Sequence, residues 1–330
     1  MPKGLEQMSA ADHHTTTSGD RKRMLVVVNP YATTVSDKLK NLVVYALQAR
    51  YEVEAVETEE ANHATRLAAS AAEEGFDLVV AFGGDGTLNE VANGLAGSGT
   101  PLSVLPGGST NVVCRTLGIP TDLVDAAEHL IAIADNFTPR PMDLGVVNGR
   151  RFLFASGFGL DADVVRRVDE NPRLKSGAGK WFYAYSALSG FYSYCLGSPP
   201  GVRVTGGDAD GLTGATAIVQ NSSPFTYFGS RPIELCENVE LDDGRLSLAV
   251  LERFAQRDAP SLIPRLLSSR LAVPASRRVH QEPDLKEVAV EAVSSDGSDA
   301  TLPLHVDGDF IGRHDRAEWS VEPAALRIVY

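Results

Sequence analysis

Asp77-Leu78-Val79-Val80-Ala81-Phe82, running into Gly83-Gly84-Asp85-Gly86-Thr87-Leu88-Asn89-Glu90, decides how this chain of 330 residues reads. The first six residues are a compact apolar run of strand length, bounded by a turn signal. The glycines end it, and a helix is predicted from Leu88 to about Leu95. Where a strand feeds a helix, main-chain N–H groups at the helix start lack partners and the helix dipole is positive. Glycines there let phosphate oxygens approach the backbone. Asp85 is the informative residue, because a carboxylate repels phosphates unless a cation stands between them. It therefore points to Mg²⁺ or to an acceptor hydroxyl. Thr87 and Glu90 also fit a capping box, with Thr at N-cap and Glu at N3.

Working outward, the same unit repeats. Met24 to Val28 is an apolar strand stopped at Asn29-Pro30, and Leu102 to Leu105 is another, followed by Pro106-Gly107-Gly108-Ser109-Thr110-Asn111. Helices are expected from Ser36 to Ala49, from Ala61 to Glu74 and after Asn111 to near Gly118, with a strand from Tyr51 to Val56. Strands alternating with helices imply crossovers and a mostly parallel sheet. Ligands of such sheets bind beyond the strand ends, so the two glycine loops and Asn29-Pro30 converge on one crevice suited to a nucleotide phosphate.

Past Pro139 the texture changes. Asn148-Gly149 between Leu144–Val147 and Arg151–Phe154 signals a hairpin. Val202–Thr205, Thr216–Gln220, Ile233–Leu235, Leu246–Leu251 and Val288–Val293 read as short strands, typical of an antiparallel β domain. A helical insert is expected over Lys180–Leu196. Its aromatic run, from Trp181 to Tyr194, reads first as a core helix and second as a lipid-touching face. Two acidic turns, Asp242-Asp243-Gly244 and Asp307-Gly308-Asp309, read first as solvated turns. The former would alternatively hold a hard cation. The latter, if it faced the crevice, would take a proton from an attacking hydroxyl.

Composition bounds the rest. Lys and Arg number 30 against 43 Asp and Glu, a net charge of −13, with 43% apolar and 22% charged residues. That balance fits a folded globular protein and disfavours nucleic acid, or an anionic membrane, as a partner held by bulk charge. Cys114, Cys195 and Cys236 are odd in number and far apart, so neither a disulfide framework nor a zinc site is indicated. No apolar run is long enough to span a membrane, and the polar start lacks a signal-peptide core. The expectation is a cytoplasmic protein with a disordered tail over residues 1–22.

Several rivals fail on spacing. The P-loop pattern is absent, since Gly179-Lys180 is followed by Trp181. Gly157-Phe158-Gly159-Leu160-Asp161-Ala162 matches a dinucleotide fingerprint after a strand at Phe152–Ala155. It lacks the acidic residue about 20 positions on, which leaves close backbone packing as its reading. There is no nucleophile elbow and no zinc-binding H-E-x-x-H helix.

The motifs together resemble the bacterial diacylglycerol kinase and lipid kinase family, which shares its catalytic pattern with sphingosine kinases and more distantly with NAD kinases. The resemblance runs from about Met24 to the end. It rests on Asn29-Pro30, on Gly83–Glu90 continued through Val91-Ala92-Asn93-Gly94-Leu95, on Pro106–Asn111, and on Met142-Asp143-Leu144-Gly145 with the two acidic turns in order. It implies an α/β nucleotide-binding domain over 23–140 with a mostly parallel sheet, joined again by 316–330. It also implies an antiparallel β-sandwich domain over 141–315, with the active site in the cleft between the two.

The activity implied is transfer of phosphate from ATP, with Mg²⁺, to a lipid hydroxyl, foremost that of diacylglycerol. ATP contacts are implied at Asn29, Pro30, Tyr31, Ala32, Thr33, Thr58, Gly83, Gly84, Asp85, Gly86, Thr87, Leu88, Asn89 and Ser109. Asp85 and Asp143 would organise the catalytic Mg²⁺, Asp243 with main-chain oxygens near Glu240 and Arg245 would hold a structural one, and Asp309 would be the base. Transient membrane contact at the inner face and a homodimer are also implied. Ser109 stands where the family usually has Thr, Val112 where many members have Asp, and Asp309 where the base is usually Glu. An NAD kinase-like enzyme, and a lipid- or nucleotide-binding regulator of weakened catalysis, remain the alternatives.

Overall fold

The computed structural model describes residues 21–32, 36–170, 200–237, 239–252, 278–294 and 299–330. The expected tail to residue 20, Thr33 and the aromatic segment 180–196 lie outside them. The first half alternates strand and helix. β1 (Arg23–Val28) leads to α1 (Asp37–Leu47), β2 (Glu52–Glu57) to α2 (His63–Glu73), β3 (Leu78–Gly83) to α3 (Asp85–Leu95), and β4 (Leu102–Pro106) to α4 (Val112–Thr116) and α5 (Leu123–Ala132). These strands lie in the order β2-β1-β3-β4, all parallel, with Val26 opposite Val80 and Val80 opposite Ser103. Every residue of β3 is buried, as expected of a central strand covered on both faces. β2, at the edge, instead exposes Glu52, Glu54 and Glu57, charges that discourage pairing with another chain.

The second half begins with β5 (Arg140–Val147) and β6 (Arg150–Phe152), joined through Asn148 and Gly149, both at positive φ. That is the backbone twist a two-residue hairpin needs. β7 (Ala155–Gly159) and α6 (Leu160–Asp169) follow. Next come β8 (Gly201–Thr205), β9 (Thr213–Gly214), β10 (Thr216–Gln220), β11 (Thr226–Phe228), β12 (Arg231–Ile233) and β13 (Leu246–Leu251). The chain ends with β14 (Val279–Leu285), β15 (Glu287–Val293), β16 (Leu302–Val306), β17 (Asp309–His314) and the thirteen-residue β18 (Arg316–Ile328). An antiparallel sheet, β14-β13-β10-β7-β16-β17, packs against a second antiparallel layer of β5, β18, β15 and β8. Phe158 and Trp319 meet edge-to-face between them, with ring centroids 6.4 Å apart.

β18 ties the halves together. It pairs antiparallel with β5 and β15, and at Ile328 lies parallel to Leu102 of β4, so the parallel sheet continues into the sandwich. This is an α/β half with a mostly parallel sheet followed by an antiparallel β-sandwich.

Local expectations need four corrections. α3 starts at Asp85, not Leu88, because Gly84 takes the extended N-cap conformation. α5, which the sequence reading passes over, fills the span before β5. β12 ends at Ile233, so the expected strand to Leu235 is absent. The fingerprint glycines Gly157 and Gly159 lie within β7 rather than in a loop after it. A Cβ on Gly157 would collide with the Asp161 carboxylate and stand 2.6 Å from His305 Nε2, so the motif marks close packing.

Candidate active site

Three parallel strands end side by side, Val28 opposite Phe82 and Gly83 opposite Pro106. The glycine loops after β3 and β4 touch through their backbones. Gly107 N–H donates to Gly83 O at 2.7 Å, and a Cβ on Gly108 would stand 2.8 Å from the Gly84 Cα. No larger residue fits that approach. Asn111, at φ +49°, closes the second loop by accepting from Gly108 N and donating to Gly108 O.

Asn29 links the first strand end to the motif, its Nδ2 donating to Thr87 Oγ1 at 3.0 Å while its Oδ1 accepts from Tyr31 N. Thr87 is buried, and a Cβ on Gly83 would strike its hydroxyl. Thr87 is therefore no N-cap. Glu90 is not its capping partner either: its carboxylate reaches sideways to the start of α2, accepting from Asn62 N at 2.9 Å and Ala64 N at 3.2 Å.

Asp85, in the first turn of α3, is partly buried. Its Oδ2 accepts from Val112 N, the first residue of α4, at 3.1 Å. Burial, reinforced by the charges of Asp307 and Asp309, pushes its carboxyl up to about 6 against the hydrogen bonds from Val112 and Val113. Val112 itself is buried in the apolar core, so this chain offers no carboxylate there.

Asp307 and Asp309 come from the turn between β16 and β17. Asp307 is buried and accepts from Leu153 N, Phe154 N, Ala155 N and Asn89 Nδ2 at 2.7–3.2 Å. Burial raises its carboxyl pKa, and those four bonds oppose the rise. Asp309 is exposed and faces the glycine motif, its Oδ2 3.0 Å from where a Cβ on Gly86 would stand. Asn29, Tyr31, Thr58, Gly86, Thr87 and Asp309 line a cleft of about 350 Å³. Glu59, Glu60 and Glu90 also border it, and among the described residues no Lys or Arg does.

The remaining sequence-predicted residues divide. Tyr31 is exposed at the rim, Ala32 N donates to Asn29 O, and Pro30 lies between them. Thr58 N donates to Val28 O, and Ser109 is exposed on the second glycine loop. Leu88 is a core side chain, and Asn89 is spent on Asp307, Arg151 O and Asn93. These last two hold the motif in place rather than face the cleft.

Asp143 stands elsewhere. It is buried, and its two oxygens accept from Gly244 N at 2.6 Å and Ala324 N at 2.7 Å, so it clamps the Asp242–Gly244 turn to β18. The carboxylates that bear on Asp85 are Asp307 and Asp309. Asp243 Oδ1 accepts from Arg245 N at 2.8 Å, and burial, together with the charge of Asp143, raises its pKa. The Glu240 N–H also donates to Asp243, and the Arg245 guanidinium pairs with Asp284 at 3.0 Å. Among the described residues no group of three His, Cys, Asp or Glu side chains is arranged to hold a metal.

Sequence reasoning missed the role of Asp307, whose position beside a glycine reads as a turn. It also missed the pair of buried His305 with half-buried Asp161, Nε2 to Oδ2 at 2.9 Å. The packing glycine Gly157 was the available signal for that pair.

Comparison with known families bears on the fold and the family. Residues 23–147 match the diacylglycerol kinase catalytic domain, and residues 155–330 match the YegS C-terminal NAD kinase beta sandwich-like domain. The chain belongs to the diacylglycerol kinase family. A diacylglycerol kinase of Bacillus subtilis (strain 168) is 38% identical over 169 residues, 49% of this chain and 53% of that one. The chain thus matches about half the length of that relative. A diacylglycerol kinase of Staphylococcus saprophyticus aligns nearly end to end, 27% identical over 301 residues, 89% of this chain and 90% of that one. A crystal structure from Bacillus anthracis str. Sterne, provisionally assigned as a diacylglycerol kinase, superposes with a TM-score of 0.71 at 23% identity. The match covers 94% of this chain and 98% of that one, and it speaks to the fold alone.

Proposed function

We propose that this kinase transfers the terminal phosphate of ATP to a lipid hydroxyl, with diacylglycerol as acceptor and phosphatidic acid as product. The observation that carries this reading is the approach of Asp309 to Gly86, a carboxylate from the sandwich half set against the phosphate-binding turn of the α/β half. The glycine loops, Asn29 and Ser109 would hold the triphosphate, and Tyr31 and Thr58 would border the nucleotide at the rim. Asp309 would accept the hydroxyl proton as the oxygen attacks in line.

A cleft edged by carboxylates repels a triphosphate, and Asp85 already carries a raised pKa. These residues therefore fit a hard cation, and Mg²⁺ bound near Asp85 and Asp309 would supply charge neutralisation of the phosphates. The Asp243 turn fits a cation less well, because main-chain N–H groups from Arg245 and Glu240 face its carboxylate. No step is assigned to it. Asp143 acts as a clamp that keeps this turn and β18 together.

No described helix is long and apolar enough to cross a membrane. The reading is of a cytoplasmic enzyme that touches the inner membrane face transiently, as a homodimer.

The test is a transfer assay with γ-labelled ATP and Mg²⁺, offering diacylglycerol, monoacylglycerol, a sphingoid base, a phosphoinositide and NAD in parallel. Label in phosphatidic acid is expected. Label only in NADP, or ATP binding with no transfer to any acceptor, would overturn the reading.

A further inference from the structure

His305 is 2% exposed and lies in β16, immediately before the turn that carries Asp307 and Asp309. Both of its ring nitrogens are engaged. Gly308 N–H donates to Nδ1 at 3.4 Å, so Nδ1 is the unprotonated nitrogen and Nε2 carries the proton that faces Asp161 Oδ2 at 2.9 Å. Asp161 Oδ1 in turn accepts from Thr216 Oγ1 at 2.5 Å, and Thr216 Oγ1 also lies 3.0 Å from Phe158 O. Ser156 Oγ donates to the His305 carbonyl at 2.8 Å. The polar chain thus runs from β10 through α6 and β16 to the Gly308 main chain, in space that Gly157 leaves open.

An apolar core would fill this space without desolvating a carboxylate and an imidazole, so the arrangement is not what packing alone would favour. What it reaches is specific. Asp307 and Gly308 both have positive φ, +49° and +84°, and their turn is held from two sides. Main-chain N–H groups of the β6–β7 segment and Asn89 fix Asp307, and His305 fixes Gly308. Asp309 is the next residue, and its carboxylate is the group that meets Gly86.

We infer that Thr216, Asp161 and His305 form a positioning relay that sets where Asp309 stands over the glycine motif. The inference rests on the proposed role of Asp309 as base. None of the three touches the transferred group; they act through the turn. A base displaced by an ångström loses on the order of a hundredfold in rate.

The experiment is a double-mutant cycle with the full chain and the acceptor lipid. His305→Gln keeps a side-chain donor toward Asp161 and loses the acceptor for Gly308; Asp161→Asn is the second variant should His305→Gln fold poorly. Each single variant is expected to lower kcat by roughly tenfold to a hundredfold, with the KM for ATP kept near wild type and a single cooperative melting transition retained. In an Asp309→Asn background the same substitutions should cost less than a further twofold, because residues that act through one group are not additive with its loss. Additive losses, or single variants within twofold of wild-type kcat, overturn the relay while leaving the kinase reading intact. Wild-type protein that labels no acceptor overturns both.

Discussion

Asn89 Nδ2 donates to Asp307 Oδ2 at 2.7 Å, joining residues 218 apart in the chain. One belongs to the helix that opens at the glycine motif, the other to the turn that carries the proposed base. Asn89 is otherwise satisfied by Arg151 O and Asn93, so its amide bridges α3, β6 and the β16–β17 turn in one place. Asn89→Ala leaves a buried carboxylate short of one partner. It is expected to lower unfolding stability by about 1–3 kcal/mol in urea, within a single transition for both halves. A change under about 0.5 kcal/mol would mean that the main-chain bonds to Asp307 suffice.

Gly86 separates stability from activity. Its backbone is helical, so Ala is tolerated and even favoured by up to about 1 kcal/mol in helix propensity. The added Cβ would stand 3.0 Å from Asp309 Oδ2 and push that carboxylate aside. Gly86→Ala should therefore melt no lower than wild type while losing most of its kcat. Gly108→Ala meets the Gly84 backbone at 2.8 Å as well as Asn111 Oδ1 at 2.9 Å, and backbone cannot swing aside, so it should lose stability as well. Parallel melting curves and lipid turnover distinguish the two.

What the sequence made legible follows from locality. β1, β3 and β4 are short apolar runs ended by Asn-Pro or glycine, and their alternation with helices leaves few topologies, so the sequence alone puts their ends at one crevice. Residues satisfied by distant partners could not be read. Thr87 and Glu90 have capping-box spacing, but Thr87 is claimed by Asn29 and Glu90 by the start of α2, the preceding helix. Asp143 has the look of a catalytic carboxylate in its Met-Asp-Leu-Gly setting, yet two main-chain N–H groups, one from the remote Asp242–Gly244 turn and one from β18, take its oxygens. Asp307 is the reverse case, an apparent turn residue buried under four donors.

Glu90 predicts a local effect. Asn62 takes the left-handed conformation at the N-cap of α2 and makes no side-chain cap of its own, and Glu90 supplies carboxylate acceptors to the N–H groups of Asn62 and Ala64. Removing them by Glu90→Ala should cost about 0.5–2 kcal/mol, as for loss of a helix cap. Amide exchange should quicken most over residues 62–66, at the cleft wall. Unchanged protection there would show that solvent replaces the carboxylate without loss.

Asp85 ties stability to pH. Its carboxyl is raised from 3.8 to about 6 in the folded chain, chiefly by burial, so the folded state holds a proton that the unfolded state has released over that interval. The associated stability is fully present below pH 3.8, declines as pH rises, and is lost above about 6. Without nucleotide and metal, the wild type should therefore lose stability relative to Asp85→Asn between pH 4 and pH 7, by at most on the order of 3 kcal/mol. Asparagine keeps an oxygen for Val112 N and carries no charge, so the variant should be the more stable one at neutral pH and nearly inactive in transfer. Mg²⁺ with ATP should narrow the gap by favouring the ionised carboxylate of the wild type. Denaturation midpoints of both proteins across this range, with and without Mg²⁺-ATP, test the point. A gap that stays constant with pH would place the charge of Asp85 in water rather than in the cleft.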